Sequence, residues 1–196
     1  YSCDPVFGLN SAFTVPEDEK APQDLSETIL LTGSFDKDWL RRMVQAIHAR
    51  GYKAVTLANP DEKESNDFVD GELGLPMTPL QWYSSLASCA GFIGMRFHGY
   101  VSCLSNNTPV VTMDVSKPRT RDSDPRNPNH DLARRAGIDA NYFLRKDLMA
   151  ADPDTIMTRL FDANIQKKAD AFAAKAPDIL YGHLKRFETI RAAQQR

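Results

Sequence analysis

Hydrophobic and polar positions along this chain alternate between short apolar runs and longer stretches with helical spacing. Thr28-Ile29-Leu30-Leu31 is a compact apolar run that ends at Thr32-Gly33-Ser34, the pattern of a buried strand and its exit loop. From Asp36 to Arg50, Trp39, Leu40, Met43, Val44 and Ile47 fall on one helical face, with Asp36 placed to cap and Gly51 to stop the helix. Lys53–Leu57 reads as a second strand closed by Asn59-Pro60, completing a βαβ unit whose crossover is expected to be right-handed. The polar run from Asp61 to Gly71 reads as a loop or short exposed helix. Thr78-Pro79 then opens a helix carrying Leu80, Tyr83, Leu86 and Ala87 on one side.

Gly91–Gly94 is a third short strand, running through Met95-Arg96-Phe97-His98-Gly99 into a helix with Val101 and Leu104. Thr108-Pro109 ends that helix, and Val110–Met113 forms a fourth strand. Residues 114–129 read as loop, His130–Ala136 as a short helix ended by Gly137, and Tyr142–Leu144 as an edge strand. From Pro153 onward the pattern is helical, with a break expected near Pro177. Residues 1–27 contain little periodic apolar sequence and read as a linker, an extended strap lying over the domain, or the remnant of a preceding domain. This divides the chain into 1–27, an α/β domain over 28–152, and C-terminal helices over 153–196 that pack on that domain or on a further one.

Strands alternating with helices imply an α/β, Rossmann-like parallel sheet with flanking helices. Such sheets bind ligands beyond the carboxyl ends of their strands. That rule alone selects the loops at Thr32–Phe35, Asn59, Pro76–Thr78, Met95–His98 and Ser116–Arg121.

Composition narrows the class. The 196 residues are 42% hydrophobic and 26% charged, with a formal net charge of −2, which argues against a nucleic-acid binder held by global positive charge. No apolar run approaches the roughly 20 residues of a transmembrane helix, and no basic-then-apolar leader opens the chain. The cytoplasm is therefore the expected compartment. Cys3, Cys89 and Cys103 are an odd set without metal-ligand spacing, so buried small hydrophobes are expected and a metal is not.

Met95–Gly99 concentrates the candidate chemistry. A strand-to-helix turn aims free helix N–H groups at the space its own side chains occupy, and a helix N-terminus carries about half a positive charge. Arg96 adds a bidentate fork for an oxyanion, and His98 a group able to move a proton. Gly99 would let a ligand approach the backbone. Spacing alone fits equally well an Arg96 paired with a surface carboxylate and a His98 that caps a helix. In the loop after the fourth strand, Ser116, Lys117 and Arg119 could hold phosphate or an acidic saccharide, or be an ordinary solvated loop balanced by Asp114, Asp122 and Asp124. Gly33 and Ser34 could offer backbone N–H groups and a hydroxyl, or form a plain strand exit.

Phe92-Ile93-Gly94-Met95-Arg96-Phe97-His98-Gly99, followed by Asn107-Thr108-Pro109-Val110-Val111, resembles the signature of polysaccharide pyruvyl transferases. The likeness extends more loosely from Thr28 to about Leu144 and takes in the Thr78-Pro79 helix start and Lys117. Asn107 replaces the glycine usual before the Thr-Pro step. The resemblance implies one half of a glycosyltransferase-B fold. It also implies pyruvyl transfer from phosphoenolpyruvate to sugar hydroxyls of an exopolysaccharide or cell-wall polymer. Phosphoenolpyruvate would enter as donor substrate, with no cofactor. Arg96 and His98 would be the catalytic pair. Met95, Phe97, Gly99, Ser116, Lys117, Arg119, Gly33 and Ser34 would contact substrate. An acceptor-binding domain preceding Tyr1 is expected. Two other readings compete: a glycosyltransferase-B half that binds a nucleotide sugar, and a non-catalytic saccharide-binding domain. Self-association through Tyr181, Leu184 and Phe187 is a further expected use of the last helix.

Overall fold

In the computed structural model, the described residues are 5–8, 14–57, 67–74, 76–114 and 127–194, with side chains in the last helix described to residue 182 and at Lys185. The sheet contains β1 (Thr28–Thr32), β2 (Lys53–Leu57), β3 (Gly71–Leu73), β4 (Gly91–Gly94), β5 (Val110–Met113) and β6 (Tyr142–Phe143), in the order β3-β2-β1-β4-β5-β6. All five pairings are parallel. β1, β4 and β5 are buried along their whole length, as continuous apolar strands covered on both faces must be.

Helices α1 (Lys37–Ala49), α2 (Pro79–Ser88), α3 (Phe97–Ser105), α4 (Pro128–Ala136), α5 (Arg145–Ala150), α6 (Pro153–Leu160) and α7 (Ala163–Gln194) cover the sheet. One core joins Leu30, Val55, Phe92, Tyr100, Val101, Leu104 and Ala176. The other joins Ile29, Leu31, Trp39, Met43, Ile47, Ile93, Met113, Ile156 and Leu160. Alternate residues of one strand therefore serve opposite layers, as the two-residue period of a strand requires.

The expected helix starts are present with their caps. Asp36 accepts from the N–H groups of Asp38 and Trp39 at the head of α1. Thr78 and Gln81 form a reciprocal capping box on α2, with Pro79 in the first turn. Gly137 ends α4 in the left-handed conformation (φ 70°). Asn107 also has a left-handed backbone (φ 59°), so the glycine usual at this place in the resembling family matches a conformational demand that asparagine also tolerates.

Three expectations change. β3 forms at the end of the polar run, because β2 offers it a free edge and Leu73 buries against the core. α4 starts at Pro128, two residues earlier than expected, with Asn127 accepting from the Asn129 N–H. The break anticipated near Pro177 falls instead at Phe161–Asp162, and α7 runs through the proline. Ala176 and Leu180 are buried on either side of Pro177, and Leu180 Cδ2 lies close over Gly8, 2.9 Å from where a Cβ would stand. That packing holds the flanking turns in place although Pro177 has no N–H to donate.

Residues before β1 lie against the same body. Phe7 is buried and meets Phe172 of α7 edge to face at 5.5 Å. The Ala21 N–H donates to Ser84 Oγ of α2, Glu19 accepts from the Thr78 hydroxyl, and Leu25 is fully buried. Cys89 and Cys103 are buried free thiols; burial pushes Cys89 up to about 12, and Cys103 well above its ordinary value. Among the described residues, no helix is long and apolar enough to cross a membrane.

Candidate active site

Strand order reverses direction between β1 and β4, so the loops leaving these two strands diverge to opposite sides and open a crevice at the carboxyl edge. The loop after β1 is Gly33–Asp36, and the loop after β4 is Met95–Arg96. The two exits stay zipped for one residue beyond the strands, with the Met95 N–H donating to the Thr32 carbonyl at 3.1 Å. Gly33 has φ 144°, a conformation that favours glycine. A Cβ there would lie 3.0 Å from Met113 Cε and 3.2 Å from Met95 Cγ. The glycine is thus demanded by backbone conformation and by two methionines packed beside it. Its carbonyl accepts from the Phe35 N–H at 3.0 Å, forming a tight turn.

Met95–Gly99 combines packing anchors with two chemistry-bearing side chains. Met95 packs with the Ile29–Leu160 core on one side of the sheet, and Phe97 packs against the opposite core. Gly99 is buried at the start of α3, where a Cβ would meet Phe92 Cζ at 2.9 Å. Substrate contact was expected of these three residues, and each also has a packing role. Met95 and Phe97 clamp the turn to both layers, and Gly99 lets α3 sit close on β4.

Arg96 and His98 remain. Arg96 stands at the N-cap position with extended backbone and makes no side-chain cap, so it is a half-exposed residue beside the first free N–H groups of α3. Its backbone carbonyl accepts from the Tyr100 N–H at 3.0 Å and starts the helix. His98 is exposed in the first turn, with its ring edge-on to Phe97 at 5.7 Å. A guanidinium, an imidazole and a helix N-terminus therefore share one edge of the crevice. This set can bind an oxyanion and exchange a proton with it.

Sequence reasoning missed the residues that hold the rim together. Arg145, leading α5, donates from Nη2 to the Ser34 carbonyl at 2.5 Å, and its N–H donates to Asp114 Oδ1 at 2.8 Å. Ser34 is exposed, and the guanidinium ties its carbonyl to the start of α5. Asn129 of α4 is fully buried, and its Nδ2 lies 3.1 Å from the Met95 carbonyl, 3.0 Å from Thr112 Oγ1 and 2.9 Å from the Met113 carbonyl. Thr112 in turn donates to the Gly94 carbonyl at 3.1 Å. His130 stacks on Tyr142 at 4.9 Å, near Asp114. Burial, and then the Asp114 charge, push the Tyr142 hydroxyl up to about 12. A polar residue at the end of the 114–129 loop, just before the expected helix, was the only sequence signal for Asn129. Ser116, Lys117 and Arg119, expected to bind substrate, lie outside the described residues, as does Asn59. Among the described residues, no group of three His, Cys, Asp or Glu side chains could hold a metal ion.

With the site placed, its relatives can be compared. A sequence model of the family described as polysaccharide pyruvyl transferase matches residues 1–117, more than half of the chain and inclusive of Met95–Gly99. The chain belongs to the polysaccharide pyruvyl transferase family.

No curated protein matches this pyruvyl transferase family member significantly in sequence. Its fold is similar to that of several solved glycosyltransferases. The calicheamicin glycosyltransferase CalG4 is 13% identical with a TM-score of 0.55, the match covering 90% of this chain and 44% of that one. The kitacinnamycin glycosyltransferase is 13% identical with a TM-score of 0.54, over 82% and 41%. SnogD from Streptomyces nogalater is 14% identical with a TM-score of 0.51, over 91% and 46%. At such identities the likeness concerns the fold, which is one half of a glycosyltransferase-B architecture. The chain spans less than half the length of these proteins.

Proposed function

We propose that this chain carries the donor-binding half of an enzyme that transfers pyruvate from phosphoenolpyruvate to a saccharide. The observation that carries the reading is the placement of Arg96 and His98. Within the family-matched Met95–Gly99 stretch, these two carry a guanidinium and an imidazole, and both stand at the α3 N-terminus on the crevice.

Phosphoenolpyruvate is a compact polyanion whose reaction needs charge stabilisation and a proton. The Arg96 guanidinium and the open N–H groups of α3 bind its phosphate or carboxylate. His98 supplies the proton that adds to the methylene carbon. The central carbon becomes cationic, and a sugar hydroxyl attacks it, its proton passing to a base. The C–O bond to phosphate then breaks, and a second hydroxyl of the sugar attacks the renewed cation to close the ketal, its proton passing to the departing phosphate. The net change is phosphoenolpyruvate plus two hydroxyls to ketal plus phosphate. Acceptor recognition is assigned to parts of the enzyme beyond this crevice, and the last strand-exit cations, Lys117 and Arg119, to donor or acidic saccharide.

Calorimetric titration with phosphoenolpyruvate and, separately, with a nucleotide sugar tests the donor. Binding of phosphoenolpyruvate that weakens at least about tenfold in Arg96→Ala is expected, the loss of one charge-assisted pair. Binding of the nucleotide sugar with none of phosphoenolpyruvate would overturn the reading. If His98→Ala kept full pyruvyl transfer in the intact enzyme, the proton-donor role would be wrong.

A further inference from the structure

We infer that Asn129 is a positioning residue: its buried amide sets the β4 exit loop in the conformation that presents Arg96 and His98 to the crevice. The inference rests on the donor reading for its link to catalysis, but its geometry stands independently. Asn129 is fully buried, comes from α4 and approaches the sheet from beyond β5. Its Nδ2 reaches the Met95 carbonyl, the residue immediately before Arg96, while also reaching the end of β5 through Thr112 Oγ1 and the Met113 carbonyl. The orientation of the amide is forced. The Thr112 proton is committed to the Gly94 carbonyl, so Nδ2 faces three acceptors, and a flipped amide would set Oδ1 against all three. With two hydrogens for three acceptors, one N–H is shared.

This arrangement fixes the peptide between Met95 and Arg96. Rotating that peptide would move the Arg96 Cα and the first turn of α3 with it, so the amide clamp controls the aim of both chemistry-bearing side chains. Met95 and Phe97 fix the loop through packing, and Asn129 fixes the remaining peptide orientation.

The fold provides a matched control. Asn141 is also buried, and its Nδ2 also bridges two backbone carbonyls, those of Val110 at 2.9 Å and Arg159 at 3.2 Å. The Oδ1 atoms of both asparagines have no hydrogen-bond partner among the described residues. The two differ in place: Asn141 holds the amino end of β5, opposite the crevice, and Asn129 its carboxyl end. A merely structural role predicts the same behaviour for both.

The test measures amide hydrogen exchange in the full chain without ligand. The Met95 and Tyr100 N–H groups, bonded to the Thr32 and Arg96 carbonyls, are read relative to central-strand amides of Leu30 and Ile93. Asn129→Ala is expected to speed Met95 and Tyr100 about tenfold relative to that reference, the effect of one lost buried hydrogen bond, with Asn141→Ala within about twofold. Equal behaviour of the two variants, or no selective effect in Asn129→Ala, would overturn the inference. Should Asn129→Ala fail to fold, Thr112→Val removes one link of the same clamp at constant shape, and the same selective rise is required of it. Phosphoenolpyruvate titration of the same proteins then separates the two claims. Weakening by about tenfold in Asn129→Ala but not in Asn141→Ala supports both. If the unaltered chain does not bind phosphoenolpyruvate, the donor reading falls, and the exchange comparison still decides the positioning role.

Discussion

Two glycines beside the Phe92 ring show how single residues shape this site. A Cβ on Gly99 would sit 2.9 Å from Phe92 Cζ, the end of a side chain rather than backbone. A Cβ on Gly94 would sit 2.4 Å from the same atom and 2.9 Å from the Thr32 carbonyl, which is held by the β1–β4 ladder. Gly99→Ala should therefore cost about 1–3 kcal/mol in urea unfolding, and Gly94→Ala more, because backbone cannot yield as a ring can. Phe92→Leu combined with Gly99→Ala should lose less than the sum of the two single changes, a coupling that a double-mutant cycle reads directly. Rescue of Gly94→Ala should be only partial, because the Thr32 carbonyl contact remains. The residues of Met95–Gly99 were all visible in the sequence, but their division of labour was not. Which face of the sheet Met95 and Phe97 enter, and that Gly99 lies under an aromatic ring, depends on the exit angle of β4.

At the scale of elements, local signals held where a helix end is decided by its own few residues. Thr78-Pro79 with Gln81 was legible because a capping box is a contact among neighbours in sequence, and Thr78→Ala should cost about 1 kcal/mol in thermal or urea unfolding. The Thr78 hydroxyl also meets Glu19, a partner 59 positions away in sequence that no spacing rule reveals.

His48, on the exposed face of α1, likewise has a partner distant in sequence. Its Nε2 lies 2.7 Å from Asp70 Oδ2, which also accepts from the Ala54 N–H at 2.7 Å and so joins α1 to β2 just before β3. Burial pushes the Asp70 carboxyl up, but the Ala54 N–H, the His48 hydrogen bond and the nearby positive charges outweigh it and lower its pKa. A carboxyl depressed in the folded state stabilises above its unfolded pKa, about 3.9, and that contribution is lost as pH falls through the folded value. Asp70→Asn should thus reduce stability at neutral pH and flatten the acid limb of a stability–pH profile. The group is about one-third exposed, so solvent screening keeps the effect small. An acid limb unchanged from the parent protein would contradict this assignment.

For the whole molecule, the Pro5–Gly8 turn and α7 act together although most of the sequence separates them. Phe7 is 3% exposed and rests on Phe172, and Leu180 covers Gly8. Phe7→Ala should lower stability by about 3 kcal/mol in urea unfolding, the cost of an aromatic cavity, and loosen α7 to protease before the sheet opens. A residue in a solvated linker would show neither effect.

What the sequence determined by itself was the alternation of strands and helices, the helix caps and the position of the strand-to-helix turn after β4, because each depends on residues within a few positions of one another. The family resemblance rests on that same local stretch. The tertiary structure alone decided that β3 completes the sheet, that α7 passes through Pro177, and that Arg145 and Asn129 brace the crevice rim. Each of these is stabilised by contacts distant in sequence: a free strand edge, a helix packed over Gly8, an arginine reaching a carbonyl 111 positions away, and an amide spanning two strand ends. Local propensity carries no record of such partners, since the energy that selects the conformation is supplied by groups that come together only in the folded chain.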